Sequence, residues 1–473
     1  MRYRIETDLA GECKIPADAY YGINSFRAKE NFVVSNVKVH RQMIKSLSVV
    51  KRAAAYANMK AGNISVEIAD AIMLACDDVL NGRLISQFIT DMIQGGAGTA
   101  MNMNMNEVIA NRAEEILGGN LGEYKIVHPI DHVNFAQSTN DVVPTAAKIA
   151  SIRMTKKLIT ELKKLHKTYI DLAHKYAEVI KIGRTHLQDA LPISLGQEFS
   201  AYASSLERDI ERLKSSSEQL TYINIGATAI GTGLNANKTY FETVYTKLSE
   251  LTKISFKPAP NLVDSTRNLD AFVWLSSAIK ILAINLSKTA SDLRLLSSGP
   301  DGGLNEINLP DYQVGSTMIP NKVNPVAPEL INQIAFDVMG NDVTITKAAE
   351  AGQLELNVFQ PIIFHKIFSN LELLRRGAEI FREKALTGIT VNKEKCISYV
   401  ERSNMVVTAL TPHIGYNKMT ELIRESLITG QKVKDMIIEK KIMDKEEVSK
   451  ILNLVRMTKP GIIRESIINK QKK

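Results

Sequence analysis

The sequence has few of the residues that mark a secreted, metal-bound or all-β protein. Only three cysteines occur in 473 residues, Cys13, Cys76 and Cys396. They lie far apart and show no CxxC spacing, which argues against a disulfide framework and a zinc knuckle. Proline is scarce, at 14, and tryptophan occurs once; this composition leans toward helices rather than a sandwich or barrel. The first eight residues, Met1 to Asp8, carry no apolar core and do not read as a secretory signal. The most apolar long run, residues 271–286, is interrupted by Lys280 and falls short of the ~20 apolar residues a membrane span needs. A cytoplasmic protein is expected.

Charge is neither extreme nor concentrated. The net charge is +8 and the isoelectric point about 9.1, a balance that could serve nucleic acid or steer anionic substrates. The positive charge is mostly scattered. The one compact basic cluster, Lys470-Gln471-Lys472-Lys473, reads as a frayed terminus. Neither a nucleic acid nor a membrane is expected as a partner.

What the sequence has in abundance is helical periodicity. After Pro144, apolar residues recur at Ile149, Ile152, Ile159, Leu162, Tyr169, Leu172 and Tyr176, steps that mark one helix face. A helix of that length spans roughly 50 Å at ~1.5 Å per residue. A second stripe runs through Phe199, Tyr202, Leu206, Ile210, Leu213 and Leu220. A third helix, from Asp270 to about Leu296, is apolar over most of its circumference, with Lys280, Ser287, Ser291 and Arg294 on the remaining strip. Two more cover about 326–350 and 353–387. A helix apolar nearly all round must be buried by other helices. The wide apolar surfaces exceed what one five-helix bundle can bury, so packing against copies of the chain is expected. The length exceeds one compact core. Three domains are expected: an N-terminal helical domain over 1–137, a central long-helix bundle over 138–391, and a small C-terminal helical domain over 392–473.

Four segments break the helical pattern with small, hydroxylated or amide residues. Gly95-Gly96-Ala97-Gly98-Thr99-Ala100 lets backbone approach a ligand closely. Gln137-Ser138-Thr139-Asn140-Asp141 precedes the first long helix. Its residues are ordinary helix caps, yet free amides at a helix start also favour an anion. Gly183-Arg184-Thr185-His186-Leu187-Gln188-Asp189-Ala190 places a histidine beside threonine and arginine, between two strong helices. Gly315 to Pro325 forms a shaped loop presenting Ser316, Thr317, Lys322 and Asn324. Other candidates are weaker. His128 and His132 are separated by Pro129 and form no HExxH, and Gly226, Gly231 and Gly233 do not make a GxGxxG after a clear strand. No metal or other cofactor is expected. The four segments together suit a small, multiply charged ligand such as a dicarboxylate.

With these residues in view, the chain resembles the aspartase/fumarase superfamily from end to end. The matches are Ala17 to Gly22, Gln94 to Thr99, Gln137 to Asp141, Gly183 to Ala190, Gly226 to Asn235, and Gly315 to Pro325. Within the superfamily, Asn324-Pro325-Val326-Ala327-Pro328-Glu329 and the stretch from Ala349 to Val358 are similar to the aspartase branch. The resemblance implies an all-α, three-domain fold whose central five-helix bundle assembles into a twenty-helix homotetramer core. It implies elimination of ammonia from L-aspartate, with Ser316 as general base on a mobile loop. Thr99, Ser138, Thr139 and Thr317 would hold the β-carboxylate. Thr185, Lys322 and Asn324 would bind the α-carboxylate, and Asn140 and His186 would contact the amino group. Each active site would draw on three subunits and need no cofactor. Class II fumarase is the alternative, and a non-catalytic structural member of the superfamily a further one. The chain departs from the family pattern at Thr317, where a second serine is usual, in the order Met318-Ile319, and at Asp301, where relatives carry arginine.

Overall fold

A computed structural model describes residues 2–471. The basic tail singled out above ends in Lys472 and Lys473, which lie outside the described residues. The fold is predominantly helical, as expected. Its strands are short, and each pairs with one other strand.

The N-terminus opens with a feature the periodicity did not signal, an antiparallel hairpin of β1 (Tyr3–Asp8) and β2 (Gly11–Pro16). Its alternation is inverted: Ile5 is exposed, whereas Glu6 is buried. The Glu6 carboxylate accepts Arg4 Nε at 2.8 Å and the amide of Ile23 at 2.8 Å, so the inward face is polar but satisfied. Helix α1 (Ile23–Asn31) starts on a second buried carboxylate. Glu107 accepts the amides of Gly22 at 2.9 Å, Asn24 at 2.8 Å and Ser25 at 3.1 Å, which meets the unpaired donors and positive end of that helix. Helices α2 (Arg41–Lys60), α3 (Val66–Leu80) and α4 (Thr99–Ile116) follow.

The long helices form where periodicity places them. Helix α5 spans Thr139–Lys175 and α6 spans Leu195–Gln219. The stripe residues Ile149, Ile152, Leu162, Tyr169, Leu172 and Tyr176 are buried, as are Phe199, Leu206, Ile210, Leu213 and Leu220. Between α5 and α6 lies a second hairpin, β3 (Ile180–Thr185) and β4 (Gln188–Ser194). After α6 come β5 (Tyr222–Ile223), α7 (Lys238–Thr252), β6 (Lys257–Pro258) and α8 (Leu262–Arg267). Helix α9 covers Asp270–Leu296 and α10 covers Val326–Glu350, joined by a long connection that includes β7 (Ile307–Asn308). Helix α11 (Gln360–Phe381) is shorter than the expected 353–387. Residues 353–359 form a turn held by Asn357, and the end closes in a π-helical turn, Arg382–Leu386. Beyond β8 (Thr390–Val391) and α12 (Lys393–Arg402) the chain forms short helices around a core of Val407, Leu410, Met419, Leu422, Met436 and Ile451. Pro412 lies at the start of a helical turn there, Thr411–Ile414.

The chain packs as two compact units. Unit 1 comprises Met1–Glu161, Asp209–Ile284 and Gln333–Arg376; unit 2 comprises Leu162–Arg208, Asn285–Asn332 and Gly377–Lys473. Within unit 1, Phe272 of α9 meets Phe364 of α11 with ring centroids 4.9 Å apart, and Asn341 of α10 bonds Asn370 of α11 at 2.7 Å. The polar strip of α9 is a seam against α10. Ser276 and Lys280 both bond Asp342, at 2.7 and 2.6 Å. In unit 2 the same strip continues: Asn332 of α10 donates to Ser287 Oγ at 2.8 Å and Ser291 Oγ at 3.1 Å.

Unit 2 also buries a charge cluster. Glu306, fully buried, takes Arg184 at 2.8 Å and Lys181 at 2.9 Å, and Lys181 also bonds Glu198 at 2.8 Å. Two cations on β3 are thereby tied to the connection before β7. Removing one member of such a cluster leaves the others charged and desolvated. Glu306→Ala is expected to lose about 3–5 kcal/mol of stability, read as a lowered urea midpoint, whereas the neighbouring exposed change Asp189→Ala should leave the midpoint near wild type.

Candidate active site

In unit 1 the site residues sit where α4 and α5 begin. Gly96 and Gly98 take positive φ, +74° and +92°, and with Ala97 at +56° they turn the chain into α4. Thr99, the first residue of α4, is exposed, and its hydroxyl donates back to Gly96 O at 2.7 Å. Gln94 accepts the amide of Met101 at 3.0 Å and so caps the same helix.

Ser138 caps α5 as composition suggested. Its Oγ accepts the amide of Asn140 at 3.2 Å, and its own amide donates to Asp141 Oδ1 at 3.0 Å, a reciprocal capping box. The other Asp141 oxygen accepts the amides of Gly226 at 2.9 Å and Thr228 at 3.0 Å. Burial pushes the Asp141 carboxyl up to about 7, against the pull of these three amides and of Lys51. Asn140 donates to Ala229 O at 2.7 Å, and its own carbonyl accepts Asn224 Nδ2 at 3.1 Å. The glycine-rich segment 224–233 is thus a brace for the start of α5. Gly231 has no room for a side chain there, since a Cβ would lie 2.3 Å from Val263 Cα.

Sequence reasoning missed the buried amides and the cation behind this turn. Lys51 of α2 is fully buried and donates to Asn134 Oδ1 at 2.8 Å and Gln137 Oε1 at 3.0 Å. Asn134 Oδ1 also accepts Asn102 and Asn106, each at 3.2 Å, and Asn102 reaches Thr139 Oγ1 at 3.3 Å. Burial pushes the Lys51 ammonium down to about 7. The only signal in the sequence is a Lys51-Arg52 pair between Val50 and Ala53 of α2, which ordinarily reads as a solvated face. His128 and His132 turn their rings on backbone: His128 Nδ1 accepts the amides of Ile130 and Asp131, and His132 Nδ1 accepts that of His128. Together they cap a π-helical turn, Pro129–Val133.

In unit 2 the histidine segment is the tip of the β3–β4 hairpin, not an irregular break between helices. Thr185 pairs with Gln188, leaving His186 and Leu187 as a two-residue loop. Both have positive φ, +54° and +61°, as a type I′ turn requires. Thr185 and His186 are exposed at this tip.

The remaining site residues share one loop. Ser316 Oγ accepts two backbone amides, Met318 at 3.1 Å and Ile319 at 2.7 Å. The loop is pinched at its base: Gly315 N donates to Lys322 O at 2.8 Å, and Asn324 Nδ2 donates to Gly315 O at 2.6 Å. Thr317 and Lys322 are exposed. Lys322 and Asn324, with Asn305 and Asn308, line a 440 Å³ cavity beside the loop. Asp301 is exposed on the turn after α9 and forms no ion pair among the described residues. Thus Thr99, Ser138, Thr139 and Asn140 belong to unit 1, and Thr185, His186, Ser316, Thr317, Lys322 and Asn324 to unit 2. Among the described residues, no group of three or more His, Cys, Asp or Glu side chains is placed to hold a metal ion.

The pinched base yields a direct test. A Cβ at Gly315 would lie 2.4 Å from Lys322 O and 2.7 Å from Asn324 N, both backbone atoms that cannot swing away. Gly315→Ala is expected to open the base, and trypsin should then cut after Lys322 several-fold faster than in the wild type under native conditions.

Known proteins share this build. Residues 11–340 match the lyase family pattern and residues 406–459 match the fumarase C C-terminus pattern. The chain is 48% identical to the aspartate ammonia-lyase of Bacillus subtilis, over 99% of this chain and 98% of that one. It is 47% identical to the Helicobacter pylori aspartate ammonia-lyase, over 98% and 99% of the two chains. Among solved structures it resembles the class II fumarase of Schistosoma mansoni, with a TM-score of 0.94 at 36% identity, covering 97% of this chain and 99% of that one. The chain therefore belongs to the lyases of the aspartase/fumarase superfamily.

Proposed function

We propose that the chain is a carbon–nitrogen lyase that converts L-aspartate to fumarate and ammonium. Eight relatives at 44–48% identity carry the name aspartate ammonia-lyase, and the site chemistry fits that reaction. Ser316 Oγ takes the proton from the β-carbon. The released electron pair delocalises into the β-carboxylate as an aci-carboxylate, then returns to form the double bond as the C–N bond breaks on the opposite face. The amine departs as ammonia and is protonated to ammonium.

The observation that carries this reading is the pair of amides donated to Ser316 Oγ. A serine hydroxyl is a poor base because its alkoxide is costly. Donors already aimed at the oxygen stabilise that alkoxide without reorganisation. Lys322, on the same loop, adds positive charge, and closure of the loop over substrate would exclude water and strengthen both effects. Thr99, Ser138, Thr139 and Thr317 hold the β-carboxylate, where charge grows in the intermediate. Thr185, Lys322 and Asn324 bind the α-carboxylate. Asn140 and His186 contact the amino group and favour ammonium over hydroxyl as leaving group.

Assembly belongs to the same proposal. Trp274, Ile284 and Leu295 recur on α9 at intervals close to three turns and are 47%, 44% and 42% exposed; Phe336 and Val343 of α10 are 61% and 62% exposed. Large apolar side chains in rows on long helices suit burial by further copies. A homotetramer with a twenty-helix core would cover them, with each active site drawn from three subunits. Three domains, 1–137, 138–391 and 392–473, and a cytoplasmic location are proposed with it.

Purified protein should release fumarate, followed by its ultraviolet absorbance, from L-aspartate and not from L-malate; the opposite preference would assign it to the fumarase branch. Ser316→Ala should lose at least about a thousandfold in kcat, some 4 kcal/mol, with little change in substrate affinity. Lys322→Ala should instead raise KM strongly, because it acts in ground and transition states alike. Sedimentation should give a tetramer; a stable, active monomer would overturn the assembly.

A further inference from the structure

A buried ammonium is costly unless it is hydrogen-bonded, and an apolar side chain of the same length would pack at the Lys51 position without that cost. What Lys51 holds is specific. Its two acceptors, Asn134 and Gln137, are the side chains that shape the turn before Ser138. Gln137 Nε2 donates to Val133 O at 3.0 Å and Phe135 O at 3.1 Å, and Asn134 Nδ2 donates to Gln137 O at 3.3 Å. Asn134 Oδ1 receives three donors, from Lys51, Asn102 and Asn106. Of these Lys51 is the charged one, and so the strongest. Asn102 then links this oxygen to Thr139 Oγ1.

The chain of bonds is one-sided. It ends on the segment carrying Ser138 and Thr139. Asn140 is held separately, by Ala229 and Asn224, and the backbone amide of Ser138 by Asp141. We propose that Lys51 is a positioning residue for the β-carboxylate subsite, acting through Asn134, Gln137 and Asn102 on Ser138 and Thr139 while leaving the amino-group contact untouched. This rests on the assignment of Ser138 and Thr139 to the β-carboxylate. The attraction of the buried Asp141 carboxylate favours the charged form of Lys51 against its burial.

The test compares two ligands in calorimetry. Succinate carries both carboxylates and no amine; L-alanine carries the amine and one carboxylate. Lys51→Met keeps the shape and removes the charge. It should weaken succinate by about tenfold or more and leave L-alanine within twofold. Asn102→Ala, which cuts the last link to Thr139, should show the same selectivity, and it decides the matter if Lys51→Met does not fold. Wild-type succinate affinity in a folded variant, or equal loss of both ligands, would overturn the proposal. Failure of the aspartate reading shows separately, as wild-type protein that binds succinate but makes no fumarate from L-aspartate.

Discussion

The carboxylate of Asp141 organises the candidate site residues of unit 1. It is fully buried, and it receives three backbone amides, one from its own helix start and two from the segment after β5. Orphan amides in a dry interior are expensive, so a single anion that satisfies three of them fixes where two distant stretches of chain must meet. Ser138, Thr139 and Asn140 take their positions from that meeting. Gly226 and Gly231 serve it by adopting left-handed backbone where a side chain would collide.

Unit 2 obeys the same electrostatic rule with charged donors in place of amides. There a buried anion, Glu306, collects two cations from one strand. The hairpin tip beyond that strand holds two non-glycine residues at positive φ, a conformation that costs roughly 1–2 kcal/mol per residue. Strain of this kind persists when the surroundings over-determine it, and the Lys181–Glu306–Arg184 cluster at the root of the hairpin is such a surrounding. In both units, polar candidate side chains are presented by elements anchored on buried charge.

Legibility in the sequence followed burial type. Helices α9 and α10 fall where apolar periodicity places them, with Pro325 just before the start of α10, because their packing is the ordinary burial of wide apolar faces. The hairpins escaped notice for physical reasons. In β1 the buried residue is Glu6 and the exposed one Ile5, so the period-2 signal is inverted. In β4, Pro192 stands inside a strand, and the register shifts near Gly183, which masks the alternation in β3. The candidate segments were legible as a set, since hydroxyls, amides and glycines interrupt the helical pattern where they occur. Lys51 was not, because a lysine in a helix looks the same in sequence whether it reaches water or, as here, two half-buried amide side chains.

The pinched base of the Ser316 loop has a consequence for the thermodynamics of ligand capture. Ordering backbone costs roughly 1–2 kcal/mol per residue. By joining Gly315 to Lys322 and Asn324 during folding, the chain settles that entropy for the ends of the loop before any ligand arrives. Within residues 316–321, Ser316 Oγ already accepts the amides of Met318 and Ile319, and Asn321 sits at φ +62°, a left-handed corner that narrows the conformational search further. A ligand small enough to offer only two carboxylates and an amine has little binding energy to spare. The folded chain has therefore lowered the entropic threshold such a ligand must cross.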